Sequence, residues 1–170
     1  MQKPLASEHR EYFKRYIDLV PDGDYNSLLQ QNSFELTRFL SALQAEKHDY
    51  RYADGKWSIK EVLLHITDTE RIFSYRALVA LRGDSESLLP SMDENLFAAN
   101  ADVSNRTMQD LLEEFNAVRT ATAKLLVNIS EEQSKKTANA SGFHTSVRSI
   151  AYMIIGHVIH HMNVIEERYL

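Results

Sequence analysis

The sequence predicts an all-α protein, a four-helix bundle with a long connection between its second and third helices, and three observations carry that prediction. Glycine and proline are scarce, five and three in 170 residues, too few for the turns of a fold made from many short strands. The content of Leu, Ala, Glu, Lys, Arg and Gln favours helix. Apolar residues recur at three- and four-residue steps in four separate segments. With 44% apolar and 25% charged residues, the chain is long enough to bury one core, and residues 1–170 are expected to form a single domain. No repeat or low-complexity segment divides it.

The first predicted helix runs from about Asn26 to Lys47, with Leu29, Leu36, Phe39, Leu40 and Leu43 on its apolar face. The second starts at WSIKEV: Ser58 is the N-cap, Glu61 completes a capping box, and Trp57 packs on Val62 as a hydrophobic staple. It continues through Ile72, Phe73 and Val79 to a stop near Gly83. The third starts around SNRTMQD, capped by Ser104 or Thr107, and carries Leu111, Leu112, Phe115, Val118, Leu125 and Ile129. The fourth follows SGFHTSV and runs from about Ser146 to the C-terminus. Four helices of roughly 20 residues, each about 30 Å long, pack most naturally as a bundle. The link between the second and third is longer than antiparallel neighbours need, so it is expected to cross the length of the bundle. It either walls a pocket or forms a short extra helix at DENLFAAN.

Charge and composition exclude several functions. A net charge of -5 gives no positive field for nucleic acid or anionic lipid. The absence of cysteine removes disulfides, thiolate ligands and a cysteine nucleophile, so any thiol chemistry borrows its sulfur. The charged N-terminal stretch lacks the apolar centre of a signal peptide, and no run is long enough for a membrane span, so the cytoplasm is the expected location. No Gly-rich phosphate loop or GxSxG elbow occurs.

Chemistry concentrates in GHVIHHMNVIEERY, which holds three of the seven histidines. On a helical wheel with His157 at the origin, His161 falls at about 40° among the apolar residues, whereas His160 falls at about -60°, on the shoulder. His157 and His161 therefore point together at the i, i+4 spacing that lets two imidazoles reach one ion. His160 is expected to hydrogen-bond at the bundle edge. His65 lies in the stripe Val62, His65, Thr69, Ile72, Arg76 and Val79 of the second helix, so it also faces inward. Three buried imidazoles without partners are costly, and coordination removes much of that cost. Asp68 and Glu61 flank the His65 face, where either could orient a ligand ring. His9, His48 and His144 are expected at the surface, with His144 as reserve ligand. Arg76 could bind an anionic substrate group; the favoured expectation is a salt bridge to a loop carboxylate such as Asp93.

Three neutral imidazoles would leave a divalent ion with its full charge and an open position, a catalytic pattern that Zn, Ni, Mn or Fe could fill. The helical zinc-protease motif is absent, because Val158 stands where HExxH needs its glutamate. Hydrolysis and transfer of an external thiol both remain open.

The stretches GKWSIKEVLLHITDTERIFSYRAL, RGDSESLLPSMDENLF and GHVIHHMNVIEERY, taken together and in this order, resemble the DinB/YfiT-like four-helix-bundle metalloproteins. The resemblance implies a divalent metal held by His65, His157 and His161. It also implies a small-molecule substrate, a homodimer, and activities that include S-transfer from low-molecular-weight thiols in detoxification. Alternatives are a metal-dependent hydrolase and a non-catalytic stress protein in which the ion stabilises the bundle.

Overall fold

The computed structural model describes all 170 residues and contains eight α-helices and one β-hairpin. They are α1 (Glu11–Ile17), α2 (Tyr25–Ser41), α3 (Ala45–His48), α4 (Ile59–Leu81), α5 (Glu94–Asn100), α6 (Met108–Leu126), α7 (Glu131–Ser134), β1 (Thr137–Ala140), β2 (Phe143–Ser146) and α8 (Val147–Arg168). The four long helices α2, α4, α6 and α8 are the predicted bundle. Their starts follow from local chemistry, because the side chains of Asp24, Ser58, Thr107 and Ser146 each accept a backbone N–H three residues on. At α4 the capping box is complete, with Glu61 returning a carboxylate to the N–H of Ser58 at 2.5 Å. Gly83, just past the end of α4, has φ +91°, the left-handed conformation that ends many helices on glycine.

α4 packs against α6 and α8, and α2 packs against the same two, so α2 and α4 lie across a diagonal. Directions follow from the cross-links. Lys60 reaches Arg106 O and Arg119 reaches Glu70, so α4 and α6 run parallel. His65 meets His157 while Tyr169 donates to Trp57 O, so α4 and α8 run antiparallel. Parallel neighbours need a connection that travels the length of the bundle, which residues 82–107 supply. DENLFAAN forms the extra helix α5 within it, and Ser91, Met92 and Glu94 of the same connection wall a cavity, so the segment is both helical in part and a pocket wall.

Three elements depart from the sequence expectation. The first predicted helix divides, because the chain leaves α2 after Ser41 and turns through residues 42–44 before α3. Before β2, the segment ahead of α8 folds into a hairpin with β1, and Gly142 at φ +85° makes its turn. Leu89 adds a bridge to the edge of this hairpin, exchanging backbone hydrogen bonds with Asn139 and Ser141. At the N-terminus, α1 lies across α8. It approaches so closely that a Cβ on Gly156 would fall 2.0 Å from the carbonyl oxygen of Tyr16, so only glycine fits at the crossing. Arg148 anchors the same end by a two-toothed pair with Glu8 at 2.7 Å and a contact to Glu131 at 3.1 Å.

Two apolar clusters fill the bundle. One gathers Ile17, Tyr25, Phe73, Ala77 and the first half of α8, and the other gathers Leu36, Ile59, Leu63, Leu111, Phe115 and Ile165. The histidines of α4 and α8 lie at the junction between them. No helix is long and apolar enough to cross a membrane.

Candidate metal centre

His65 and His157 are buried and His161 is half-buried. The wheel positions drawn from sequence place them on facing stripes, and antiparallel packing of α4 on α8 brings those stripes together. His65 Nε2 lies 3.2 Å from His157 Nε2, and His161 Nε2 lies 3.1 Å from His157 Nε2. One ligand atom from each ring falls within 4.8 Å of the others, a grouping that could hold a metal ion. Two nitrogens bound at zinc distances to a tetrahedral centre stand about 3.3 Å apart, close to the two short separations here.

Neighbouring rings set the orientation of these imidazoles. Trp57 packs on His65 with centroids 4.8 Å apart, and Tyr16 meets His157 edge-on at 5.4 Å. The Nδ1 of His65 is buried without a hydrogen-bond partner. Burial, with a smaller contribution from His160, pushes the His65 pKa down to about 4. Burial, reinforced by the neighbouring imidazoles, also holds His157 and His161 well below the ordinary histidine value. All three rings are therefore neutral at pH 7, the form that donates a lone pair to a cation.

The other sequence candidates are placed differently. Glu61 spends its carboxylate on the N–H of Ser58 and on Arg51 at 2.5 Å. Asp68 pairs with Arg71 at 2.9 Å, within a chain of ion pairs that continues to Glu114 and Arg106. Neither makes a hydrogen bond to a histidine. His160 does not hydrogen-bond at the bundle edge as expected: its ring is half-buried against Tyr16 at 5.2 Å and His161 at 5.0 Å. His144 is exposed on β2, as expected. His9 is buried, against expectation, because α1 folds its segment onto α8, and its Nδ1 faces Arg10 O at 2.9 Å. His48 is half-buried rather than exposed, with its Nε2 unpartnered. Arg76 does not pair with Asp93. It donates to Pro90 O at 2.7 Å, while Asp93 caps α5.

A cavity of about 360 Å³ opens beside His65 and His157. Its walls come from α1, α4, the connection after α4, the hairpin turn and the start of α8. Sequence reasoning missed α1, and with it Tyr16, Phe13 and Arg10 as wall residues. The available signal was the spacing of Phe13, Tyr16, Ile17 and Val20, confined to two turns and interrupted by charges.

A helical bundle whose interior gathers three neutral imidazoles beside a small cavity defines a class: bundle proteins with a histidine cluster of metal-ligand geometry. The chain belongs to the DinB superfamily, whose family model matches residues 28–165. Among solved structures it is similar to one from Bacillus subtilis, with 18% identity, a TM-score of 0.75, and coverage of 98% of this chain and 90% of that one. That protein, YfiT, is described as "a probable metal-dependent hydrolase with an unusual four-helix bundle topology". At this identity the likeness bears on the fold alone. No curated protein matches the chain.

Proposed function

We propose that the protein is a divalent-metal-dependent enzyme acting on small molecules in the cavity beside the histidines, and that its reaction is hydrolysis. The convergence of His65, His157 and His161 on one point, with His65 and His157 lining the cavity, carries the reading. The donor set fits the ion, because three neutral imidazoles bring Nε2 atoms to separations of 3.1 and 3.2 Å, close to those of nitrogens sharing a tetrahedral centre. Zn, Ni, Mn or Fe held there would supply a Lewis acid that lowers the pKa of a coordinated water or thiol. The protein's own residues do the rest. Trp57 and Tyr16 hold two of the ligand rings in place. Phe13, Ile72, Phe73, Ile150 and Met153 give the cavity apolar walls that take the body of a substrate and exclude water. The description of YfiT supports hydrolysis as the reaction class.

One observation favours a second reading, S-transfer from an external low-molecular-weight thiol. The carboxylates nearest the cluster in sequence, Glu61 and Asp68, are engaged in ion pairs, and the one acid on the cavity wall, Glu94, is exposed. No side chain at the cluster is placed as a general base. A thiol ionises more readily than water and depends less on such a base.

Elemental analysis of untagged protein, with His65→Ala, His157→Ala and His160→Ala beside it, tests the centre. The first two should lose the ion and the third should keep most of it. Retention by all three would count against the centre. Ester and amide turnover without thiol supports hydrolysis, and turnover of monobromobimane only with added thiol supports transfer. A melting shift on chelation with no turnover of either kind would leave the ion a stabilising role.

A further inference from the structure

The cavity beside the histidines has a second polar end that the metal reading does not use. Arg76 lies there, on the same face of α4 as His65 and eleven residues further on, about 16 Å by the helical rise. It is 7% exposed, and its environment is unusual for a buried guanidinium. The other two buried arginines both have acids: Arg119 holds Glu70 at 2.8 Å and Arg148 holds Glu8 at 2.7 Å. Arg76 has none, and its one protein acceptor is the carbonyl oxygen of Pro90 at 2.7 Å. The remaining N–H groups of the fork donate to no protein atom, although the side chain lines the cavity. Burial alone holds its pKa below the ordinary arginine value, with no carboxylate to offset it.

The surroundings add a second cation, and no acid pairs with either arginine. Arg10, an exposed residue of the cavity wall just before α1, donates to the carbonyl oxygen of Ser141 in the hairpin turn and also pairs with no acid. Glu94 is the one acid on the wall, and it forms no ion pair with either arginine. Along α4 between His65 and Arg76 the wall carries Thr69, Ile72 and Phe73, and Phe13, Ile150 and Met153 add further apolar surface. A buried fork with unused donors is a strong receptor for a planar or tetrahedral oxyanion, which two parallel N–H groups can grip.

We infer that the cavity takes organic anions with an apolar body, with the carboxylate or phosphonate on Arg76, Arg10 assisting at the mouth, and the other end of the molecule directed to His65 and His157. The inference rests on the proposed function only for what happens at the histidine end. Anion binding at Arg76 needs no metal. A volume of about 360 Å³ sits at the small end of ligand pockets, which limits the molecule to fragment size.

The test is calorimetric binding of benzoate, 3-phenylpropanoate and 5-phenylpentanoate to chelator-treated full-length protein, each beside its neutral amide. At least one carboxylate should bind about tenfold tighter than its amide. Arg76→Gln should bring that pair to parity, Arg76→Lys should keep part of the preference, and Arg10→Gln should lose a smaller factor than Arg76→Gln. Equal or undetectable binding of acid and amide across the series in native protein overturns the inference, whether or not the variants fold. So does a preference that survives in folded Arg76→Gln. The same preparations are assayed for metal uptake. A carboxylate preference in protein that takes up no metal would sink the metal centre while supporting the anion site, and the converse pattern would do the reverse.

Discussion

Two of the polar clusters buried in this bundle differ in whether the protein satisfies them. The first joins α2, α4 and α6. Arg119 holds both oxygens of Glu70 at 2.8 to 3.0 Å, donates to Asn32 Oδ1 at 2.8 Å, and rests over the ring of Phe115. Asn32 in turn donates to Ile155 O at 3.4 Å. Opposite charges meet, the fork is largely filled, and Glu70, Arg119 and Asn32 are each at most 4% exposed. The second cluster, His65, His157 and His161, gathers like groups whose Nε2 atoms face one another, with the Nδ1 of His65 unpartnered and a cavity alongside. A closed network is a means of holding helices together, whereas an open one beside a cavity has capacity left for a ligand. Arg76 sits on the open side of this division and Arg119 on the closed side, although both are buried arginines facing the bundle.

Substitutions should separate the two clusters, and the largest effect belongs to the closed one. Glu70→Ala leaves Arg119 charged and unpaired in the interior, and urea denaturation should show a loss of about 3–5 kcal/mol with metal content per folded molecule unchanged. Replacing Asn32, Glu70 and Arg119 together by apolar residues of similar volume should recover most of that loss. If Glu70→Ala costs nothing, the network does not clamp the helices.

A middle-sized effect is expected from pH at the open cluster. In chelator-treated protein, His65 has a folded pKa of about 4 against an ordinary 6.5. A depressed folded pKa means that the unfolded chain binds the proton first. The contribution is therefore fully present above pH 6.5 and is lost as pH falls towards 4. Thermal melts across this window should fall with pH in native protein, and the slope should flatten in His65→Ala. An equal slope in the variant would remove His65 as the cause.

The smallest effect is expected at the surface beside the cluster. Asp68 pairs with Arg71 at 2.9 Å in a partly exposed network, so Asp68→Asn should change stability by less than about 1 kcal/mol. It should also leave bound metal unchanged in elemental analysis. Loss of metal in this variant would restore Asp68 as a supporting residue and blur the boundary between the clusters.

Much of the fold is legible in the sequence. The long helices follow from apolar spacing, and the cap at Ser58, with Thr107 as one of two candidates for the third helix, was readable because capping depends on residues three positions apart. The parallel course of α4 and α6 was implied by the length of the link. Helix α1 and the hairpin were not legible. Seven residues such as Glu11–Ile17, and strands of four such as Thr137–Ala140, are too short for periodicity to rise above chance. The reassignment of Arg76 from Asp93 to Pro90 O, and of Glu61 and Asp68 to pairs with Arg51 and Arg71, had no signal at all. A charged side chain several bonds long chooses its partner from whatever the packed neighbours present.

By itself the sequence determined the helices, their inward faces and the pairing of His157 with His161 on one of them, because each depends on separations of a few residues along a regular backbone. Tertiary structure alone decided that His65 meets that pair and that α1 crosses α8 at Gly156. It also decided that Arg76 is left without an acid in a cavity shared with the histidines. Those outcomes join positions from about fourteen to more than a hundred residues apart, and shape, packing and available partners select them only once the helices have docked.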